Sequence, residues 1–203
     1  MEREKKRRET RARIVESATE LVEKHGFDNV TVEDICAQAG ISRRTFFNYM
    51  DSKDEAVLGP APLTVTDDAL RRIAVTQADN LVELIISETS LPDAENFDFA
   101  GIERRRAIFA TNSSLASLAL ARRRTTLTAI GGALEEHFER FPSDRLAPDH
   151  PAHAEIQAII EIVQSAVSTT AFNPEFSDPD RDARDNVRGA AVFITDIARR
   201  LEW

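Results

Sequence analysis

Three helix start signals follow one another between Thr31 and Glu55, and they constrain the fold more than any other feature of the chain. Thr31, Ser42 and Ser52 can each act as an N-cap, because a short hydroxyl side chain accepts a hydrogen bond from a free backbone N–H group at a helix start. Ser52 and Glu55 also have the capping-box spacing. Gly40 lies between the first two predicted helices, where a left-handed C-cap is needed. Two short helices joined by a tight glycine-containing turn form a helix-turn-helix, whose second helix can enter the major groove of DNA.

The second of these helices has one buried and one exposed face when its residues are placed about 100° apart. Phe46 marks the centre of the buried face, and Arg44, Thr45 and Asn48 fall opposite it. Arginine pairs with the guanine edge, asparagine pairs with the adenine edge, and threonine hydrogen-bonds or contacts a thymine methyl group. The Tyr49 hydroxyl suits a phosphate oxygen. The alternative interpretation is an ordinary helical hairpin with a solvated polar face.

Five motifs around these helices occur in order and without gaps: HGF at 25–27, VTVEDI at 30–35, AGIS at 39–42, TFFNYM at 45–50 and SKDE at 52–55. Together they resemble the DNA-binding domain of the tetracycline-repressor (TetR) family over about residues 8–58. The resemblance implies an all-helical homodimeric transcriptional regulator, usually a repressor. It also implies a larger C-terminal domain that binds a small molecule.

The resemblance further implies base contacts from Arg43, Arg44, Thr45 and Asn48, and phosphate contacts from Tyr49 and Lys53. The family often has tyrosine at the position of Phe47. Phenylalanine cannot donate to a phosphate, so we expect an apolar contact with a sugar or a thymine methyl group there. The complete predicted DNA-binding set is Arg43, Arg44, Thr45, Phe47, Asn48, Tyr49, Lys53 and the N-cap residue Thr31.

Charge is unevenly divided along the chain. The formal net charge is −9, which opposes binding to a polyanion. Residues 1–58 hold 11 Lys/Arg and 12 Asp/Glu, whereas residues 59–203 hold 15 and 23, so the acidic excess lies in the second part. Residues 1–13 carry seven basic and three acidic side chains. We predict that this basic arm reaches phosphates beside the main contact; the alternative is a disordered, solvated tail.

The pattern beyond residue 62 is helical throughout, so the predicted fold class is all-α. We predict a three-helix helix-turn-helix DNA-binding domain with its basic arm at residues 1–58. A C-terminal helical effector-binding and dimerisation domain follows at 63–203, after the breaker Gly59-Pro60-Ala61-Pro62. About nine helices are expected in total. Apart from those of the helix-turn-helix, they are predicted at 10–24, 52–58, 67–88 (bent near 77–80), 99–110, 114–140 (with a weak point at Gly131-Gly132), 151–172 and 181–201.

The only cysteine, Cys36, excludes an internal disulfide framework and fits a reducing cytoplasm. We interpret Cys36 as a small core residue, with a redox-sensing thiol as the alternative. No apolar run has transmembrane length, and the charged amino terminus lacks the apolar segment of a signal peptide. We therefore expect a cytoplasmic bacterial protein without a membrane partner.

Apolar stripes run along the last two predicted helices. The resemblance implies that this pair forms a four-helix bundle with its symmetry mate. The alternative is packing within the chain's own core, which must hold for part of each stripe. A two-fold dimer presents two recognition helices to the two halves of an approximate palindrome. The predicted dimer interface comprises Ile159, Val163, Val167, Ala191, Ile194, Ile197 and Ala198.

The middle helices are expected to hold a pocket for a small-molecule effector, although the sequence does not separate pocket-lining residues from core residues. Three consecutive arginines occur at 104–106 and again at 122–124, and three consecutive residues cannot share one helix face. Because arginine binds carboxylate and phosphate bidentately, an anionic or acyl-coenzyme A effector is one interpretation; surface ion pairing is the alternative. The helix at 52–58 would transmit the effect of the ligand. The candidate pocket residues are Leu84, Ile85, Arg105, Phe109, Leu118 and Arg122.

Two other classes of protein remain open. An enzyme is the first, since His150 and His153 lie three residues apart beside Asp149 and Glu155, but no third convergent ligand is evident. The sequence also lacks a nucleophile or phosphate-loop motif, so we predict no catalytic residue, metal or cofactor. The second class is a DNA-independent helical ligand-binding or adaptor protein with the same fold. Phe47 in place of tyrosine and the low basic charge favour that alternative.

Overall fold

Ten α-helices are present in the part of the chain that the computed structural model describes, which is residues 2–91, 99–178 and 180–201. The count exceeds the predicted nine because residues 67–88 form two helices rather than one bent helix. Asn80 starts the second of these by accepting a hydrogen bond from the N–H group of Glu83 (3.1 Å). The helices are α1 Glu2–His25, α2 Val32–Ala39, α3 Arg43–Phe47, α4 Lys53–Leu58, α5 Asp67–Val75, α6 Leu81–Glu88, α7 Phe99–Thr111, α8 Ser113–Arg140, α9 Ala152–Phe172 and α10 Ala183–Arg200.

The predicted all-α fold class is confirmed. Within the described ranges, β pairing is limited to an isolated antiparallel bridge between Thr64 and Ser90, whose backbone groups exchange hydrogen bonds of 2.9 and 2.8 Å. None of the described helices combines the length and apolar content needed to cross a lipid bilayer. The predicted break at Leu91-Pro92 and the polar loop after it lie largely outside the described residues.

The basic segment at the start of the chain is helical. Helix α1 begins at Glu2 and continues to His25 without interruption, which differs from the predicted start at residue 10 and from the disordered tail considered as an alternative. Gly26 follows the last residue of α1. Its N–H group donates to the carbonyl oxygen of Val22 (2.9 Å), and its φ of +80° suits glycine. The seven basic side chains of this segment therefore lie on a helix.

Two compact units divide the chain. The first comprises Met1–Pro60 and Ala100–Leu120, and the second comprises Ala61–Phe99 and Ala121–Trp203. In the first unit, Ile108 of α7 and Leu115 of α8 are buried in the same core as α1 to α4, so residues 100–120 pack with the helix-turn-helix elements. The assignment of separate functions to residues 1–58 and 63–203 stays a prediction. The buried residues of this core are Ile14, Val15, Ala18, Val22, Val30, Ile35, Cys36, Ala39, Phe46, Met50, Ala56, Val57, Ile108 and Leu115.

The core of the second unit joins α5, α6, residues 121–140 of α8, α9 and α10. Helix α8 continues through Gly131-Gly132, where the sequence suggested a weak point. A Cβ atom on Gly131 would lie 3.5 Å from Cδ1 of Ile160, which is ordinary van der Waals distance. Helices α8 and α9 therefore approach closely at this point, and tertiary packing offsets the low helix propensity of the two glycines.

A fully buried histidine connects α8 to the rest of the second unit. Nδ1 of His137 lies 2.9 Å from the carbonyl oxygen of Ile73, and Nε2 lies 3.2 Å from Oδ2 of Asp144. Asp144 also accepts hydrogen bonds from the N–H group of Ala78 (2.9 Å) and the side-chain amide of Gln77 (3.2 Å). The bond from Ala78 is the main reason that the pKa of Asp144 lies below its usual value.

Candidate nucleic-acid interface

The turn between α2 and α3 is defined at both ends by local hydrogen bonds. Thr31 and Asp34 form a complete capping box, with the Thr31 hydroxyl accepting from the Asp34 N–H group (3.2 Å) and the Asp34 carboxylate accepting from the Thr31 N–H group (2.9 Å). The hydrogen bonds from Thr31 lower the pKa of Asp34. Gly40 has the predicted left-handed conformation, with φ +64°. The Ile41 N–H group then donates to the carbonyl oxygen of Cys36 (3.0 Å), as in a Schellman motif.

Helix α3 is anchored by its buried face. Ser42 caps it by accepting from the Thr45 N–H group (3.0 Å). Helical hydrogen bonding continues beyond Phe47, because the Met50 N–H group donates to the carbonyl oxygen of Phe46 (2.9 Å). Phe46 and Met50 are 0% and 1% exposed. The predicted buried face is therefore confirmed, and it fixes the direction in which the opposite face points.

The opposite face presents polar side chains to solvent. Arg44 and Asn48 are exposed. Thr45 is half-buried, and its hydroxyl lies 2.8 Å from the hydroxyl of Ser42, so it already has one partner. Tyr49 is half-buried as well and packs against the core of the first unit. Arg44 and Asn48 are thus accessible members of the predicted base-contacting set.

Arg43 is held by two neighbours. Its Nη1 donates to the carboxylate of Glu33 in the first turn of α2, and its guanidinium carbon lies 5.5 Å from the centre of the Phe47 ring. Phe47 is exposed and packs edge-on against the buried Phe46, with the two ring centres 5.3 Å apart. Sequence reasoning missed Glu33, because a spacing of ten residues across a turn carries no periodic signal.

Lys53 lies at the start of α4, where its ammonium group has contacts within the protein. Nζ donates to the carbonyl oxygens of Phe27 (2.7 Å) and Val30 (2.9 Å), both in the connection between α1 and α2. An ammonium group has three donors, so these bonds leave one for a phosphate. The predicted phosphate contact remains a prediction, and the structure adds a second role in connecting α4 to this turn.

Arg11 and Glu55 form contacts at the end of the recognition helix, which is α3 and the helical residues that follow it. Arg11 of α1 donates from Nη1 to the carbonyl oxygen of Tyr49 (3.0 Å) and from Nη2 to Glu55 (2.7 Å). The second carboxylate oxygen of Glu55 accepts from the Asp51 N–H group (2.6 Å), while the Glu55 N–H group donates to the Ser52 hydroxyl (3.1 Å). The reciprocal bond of the predicted capping box thus goes to the residue before the N-cap. No sequence pattern indicated the contacts of Arg11.

Four members of the predicted dimer interface are buried in the chain's own core, as the alternative interpretation requires for part of each stripe. Ile159, Val163, Val167 and Ala191 are at most 8% exposed and pack with the core of the second unit. The sequence pattern alone cannot separate an internal stripe from an external one. Of the remaining three, Ile194 is half-buried against this core, whereas Ile197 and Ala198 are exposed.

The six candidate pocket residues are distributed over both units. Leu84 and Ile85 are buried in the core of the second unit. Arg122 belongs to the same unit and is half-buried. In the first unit, Phe109 packs against the core and Leu118 is 42% exposed. Arg105 is half-buried near Gly59, since a Cβ atom on this glycine would lie 3.4 Å from Nε of Arg105.

Other predicted chemistry can be located as well. Nη2 of Arg104 donates to Glu16 (2.7 Å), and Arg106 pairs with Glu103 (3.8 Å), as surface ion pairing of this run would require. Cys36 is buried, and burial raises the pKa of its thiol. Across the described ranges, no group of three or more His, Cys, Asp or Glu side chains is placed to hold a metal ion.

The fold and this interface define a helix-turn-helix protein, with a buried anchor on one face of the recognition helix and polar side chains on the other. The model of the family described as bacterial regulatory proteins, tetR family, matches residues 14–58, which contain α2, α3 and α4. The match covers the part of the chain whose motifs resemble this family.

Curated relatives match parts of the chain. The HTH-type transcriptional regulator TcmR of Streptomyces glaucescens is 36% identical over 67 residues, which cover 33% of this chain and 29% of that protein. The HTH-type transcriptional regulator EthR of Mycobacterium tuberculosis (strain CDC 1551 / Oshkosh) is 32% identical over 114 residues, covering 56% and 48%. The chain thus spans less than half the length of these two relatives. A solved SmeT–triclosan complex aligns with 91% of this chain and 90% of that chain, at 16% identity and a TM-score of 0.47.

Proposed function

We propose that this protein is a transcriptional repressor that binds a palindromic double-stranded DNA operator as a homodimer and is released by a small molecule. The observation that carries the proposal is the recognition helix. Phe46 and Met50 anchor its buried face at 0% and 1% exposure, and Arg44 and Asn48 are exposed on the other side. A buried anchor fixes the angle of the exposed side chains, which base readout in the major groove requires.

The chemistry of the exposed face supports direct base readout. Arg44 can donate two hydrogen bonds to O6 and N7 of guanine, and Asn48 can pair with N6 and N7 of adenine. Each good bidentate pair is worth about 1–3 kcal/mol of discrimination. We propose phosphate contacts from the Tyr49 hydroxyl and from the third donor of Lys53; such contacts set register rather than sequence.

The basic residues of α1 supply a second source of affinity. Residues 2–13 are helical, so we propose that their basic side chains contact phosphates next to the main site. Such contacts are independent of sequence and weaken as salt rises, because each neutralised phosphate releases condensed counterions. The net charge of −9 for the whole chain repels DNA, so it opposes complexes in which the basic residues do not contact phosphates.

A second copy of this chain is the proposed occupant of the exposed apolar face of α10. Phe193, Ile197 and Leu201 follow at four-residue intervals and are 46%, 46% and 52% exposed. Val192 beside them is 59% exposed, and a Cβ atom on Gly189 would meet nothing within 4 Å. Side chains four residues apart share a helix face, so Phe193 and Ile197, with Leu201 directly after the end of α10, form one stripe suited to an isologous interface.

We propose that a small-molecule effector shifts the dimer between two states and that α4 transmits the change. Arg105 in the first unit and Arg122 in the second are two separate candidates for recognising an anionic group on this molecule, because guanidinium pairs with carboxylate and phosphate. A coupling of about 1–3 kcal/mol would change operator affinity roughly five- to 150-fold. Thermal-shift titration with free carboxylates and acyl-coenzyme A thioesters, comparing wild type with Arg105→Ala and Arg122→Ala, tests this ligand class.

Selection from a random double-stranded DNA library tests the function itself. The expected result is one enriched inverted repeat whose half-site centres lie about 10–10.5 base pairs, or a multiple of this, apart. Enrichment of no common sequence, with binding to every duplex equally weak, would contradict the proposal and favour a DNA-independent adaptor.

A further inference from the structure

Arg43 differs from the other exposed cations of the recognition helix because two side chains restrict its guanidinium group. Glu33 of α2 accepts a hydrogen bond from Nη1, and the Phe47 ring lies beneath the guanidinium carbon at 5.5 Å. The side chains of Arg43 and Glu33 are 65% and 59% exposed. An ion pair this exposed contributes little to folding, so its main effect is on the direction of the guanidinium group.

Both restraints are themselves fixed by the fold. Glu33 lies in the first turn of α2, whose start is held by the capping box of Thr31 and Asp34; a carboxylate is favoured at this positive end of the helix dipole. The Phe47 ring packs against Phe46 at an interplanar angle of 85°, and Phe46 is fully buried. The positions of the carboxylate and of the ring are thus tied to the core.

With Nη1 bound to Glu33, two other donors of Arg43 remain available for a base. A guanidinium group has an edge formed by Nε and Nη2 that donates two parallel hydrogen bonds. The described hydrogen bonds of Arg43 involve Nη1 and not this edge. Two parallel donors match O6 and N7 of guanine in the major groove. The guanidinium carbon lies over the Phe47 ring, so movement of the group away from the ring would break the cation–π contact.

We propose that Glu33 and Phe47 are positioning residues that direct Arg43 toward one guanine in each half-site, an inference that rests on the proposed DNA-binding function. Glu33 also disfavours complexes in which Arg43 contacts a phosphate instead of guanine. In such a complex the Glu33 carboxylate is left unpaired beside the negatively charged DNA backbone. Phe47 provides an aromatic surface for the guanidinium group, and this use needs no hydroxyl.

Base preference of three variants tests the inference. Fluorescence anisotropy is measured for the selected operator and for operators with each guanine replaced in turn, using wild type, Glu33→Gln and Phe47→Leu. The guanine that depends on Arg43 is identified with Arg43→Ala. At this position we expect wild type to bind the operator with guanine about tenfold or more tightly than the operator with another base, which corresponds to one bidentate pair. Glu33→Gln and Phe47→Leu should each reduce it several-fold, while Phe47→Tyr, which keeps the ring, should retain it.

Glu23→Gln is the matched control, because Glu23 is exposed in the same unit and its replacement changes the charge equally. If Glu33→Gln and Glu23→Gln both raise affinity for all duplexes by one common factor, Glu33 acts only through its charge and the inference is wrong. An operator without an Arg43-dependent guanine also overturns it. In both cases the wild type still selects a sequence, whereas failure of the proposed function would show as no selection by wild type.

Discussion

The ammonium nitrogen of Lys53 lies 4.0 Å from the centre of the Phe27 ring, and the same nitrogen donates to the carbonyl oxygen of Phe27 at 2.7 Å. One side chain thereby connects the start of α4 with the turn that follows α1. A lysine serving only as a phosphate contact would be directed to solvent. We infer that Lys53 stabilises the helix-turn-helix unit itself.

Replacing Lys53 with methionine should lower the free energy of unfolding by about 1.5–3 kcal/mol, the range for hydrogen bonds to a charged group. The variant should also weaken binding to every DNA sequence alike. Urea denaturation followed by circular dichroism measures the first effect, with Lys24→Met, at an exposed position of α1, as control. Equal unfolding free energies for the two variants would show that the internal contacts of Lys53 have no stabilising effect.

Arg11 and Glu55 should be energetically coupled. Their pair is partly exposed, with side-chain exposures of 41% and 28%, so solvent screening limits the coupling to about 0.5–1 kcal/mol. A double-mutant cycle with Arg11→Ala, Glu55→Ala and the double variant measures it through urea denaturation. If the effects of the two single substitutions on the unfolding free energy are additive, the Arg11–Glu55 ion pair does not stabilise the end of the recognition helix.

Acid should destabilise the second unit through Asp144. Hydrogen bonds, chiefly from Ala78, hold the pKa of this carboxyl below its ordinary value of 3.8. A lowered pKa in the folded state contributes stability that is fully present above the unfolded pKa and is lost as pH falls through the folded pKa. The unfolding free energy of wild type should therefore fall more steeply below about pH 4 than that of Asp144→Asn. Asp149→Asn, at an exposed position, should behave like wild type; the prediction is wrong if all three curves are parallel.

A charge in the centre of the α10 stripe should dissociate the dimer. Ile197→Glu would place an unpaired carboxylate in an apolar interface, which is strongly unfavourable, and each 1.4 kcal/mol raises the dimer Kd tenfold. Sedimentation equilibrium should show a Kd at least about tenfold higher than that of wild type. Leu146→Glu is the control, because Leu146 is 75% exposed and lies outside α10. Identical dimer Kd values for the two variants would exclude α10 as the interface.

Local features of the fold were predictable from the sequence, and long-range ones were not. The caps of Thr31 and Ser42 and the left-handed Gly40 depend on neighbours within three or four residues, and the buried position of Phe46 follows from helical periodicity. His137 meets the carbonyl group of Ile73, 64 residues away, and no local pattern indicates this contact.

The candidate site shows the same division. Exposure of Arg44 and Asn48 follows from the helical wheel, whereas the restraint of Arg43 by Glu33 depends on how α2 and α3 are oriented at the turn. The apolar stripe on α9 is ambiguous for a related reason, because Val163 is apolar at the correct period whether its neighbour is its own core or a partner. Only the packed fold shows that it is 1% exposed.

Binding of wild type and Arg44→Ala to the selected operator and to a scrambled duplex, by fluorescence anisotropy across a salt series, tests the central claim most directly. We predict that wild type prefers the operator about a thousandfold or more, with affinity falling steeply as salt rises. Arg44→Ala should lose about 1–3 kcal/mol on the operator, with relaxed base preference and a smaller loss on the scrambled duplex. Arg71→Ala, at an exposed position of α5, should match wild type on both. Equal affinities of wild type for the two duplexes, or no effect of Arg44→Ala on the operator, would contradict the proposed recognition face.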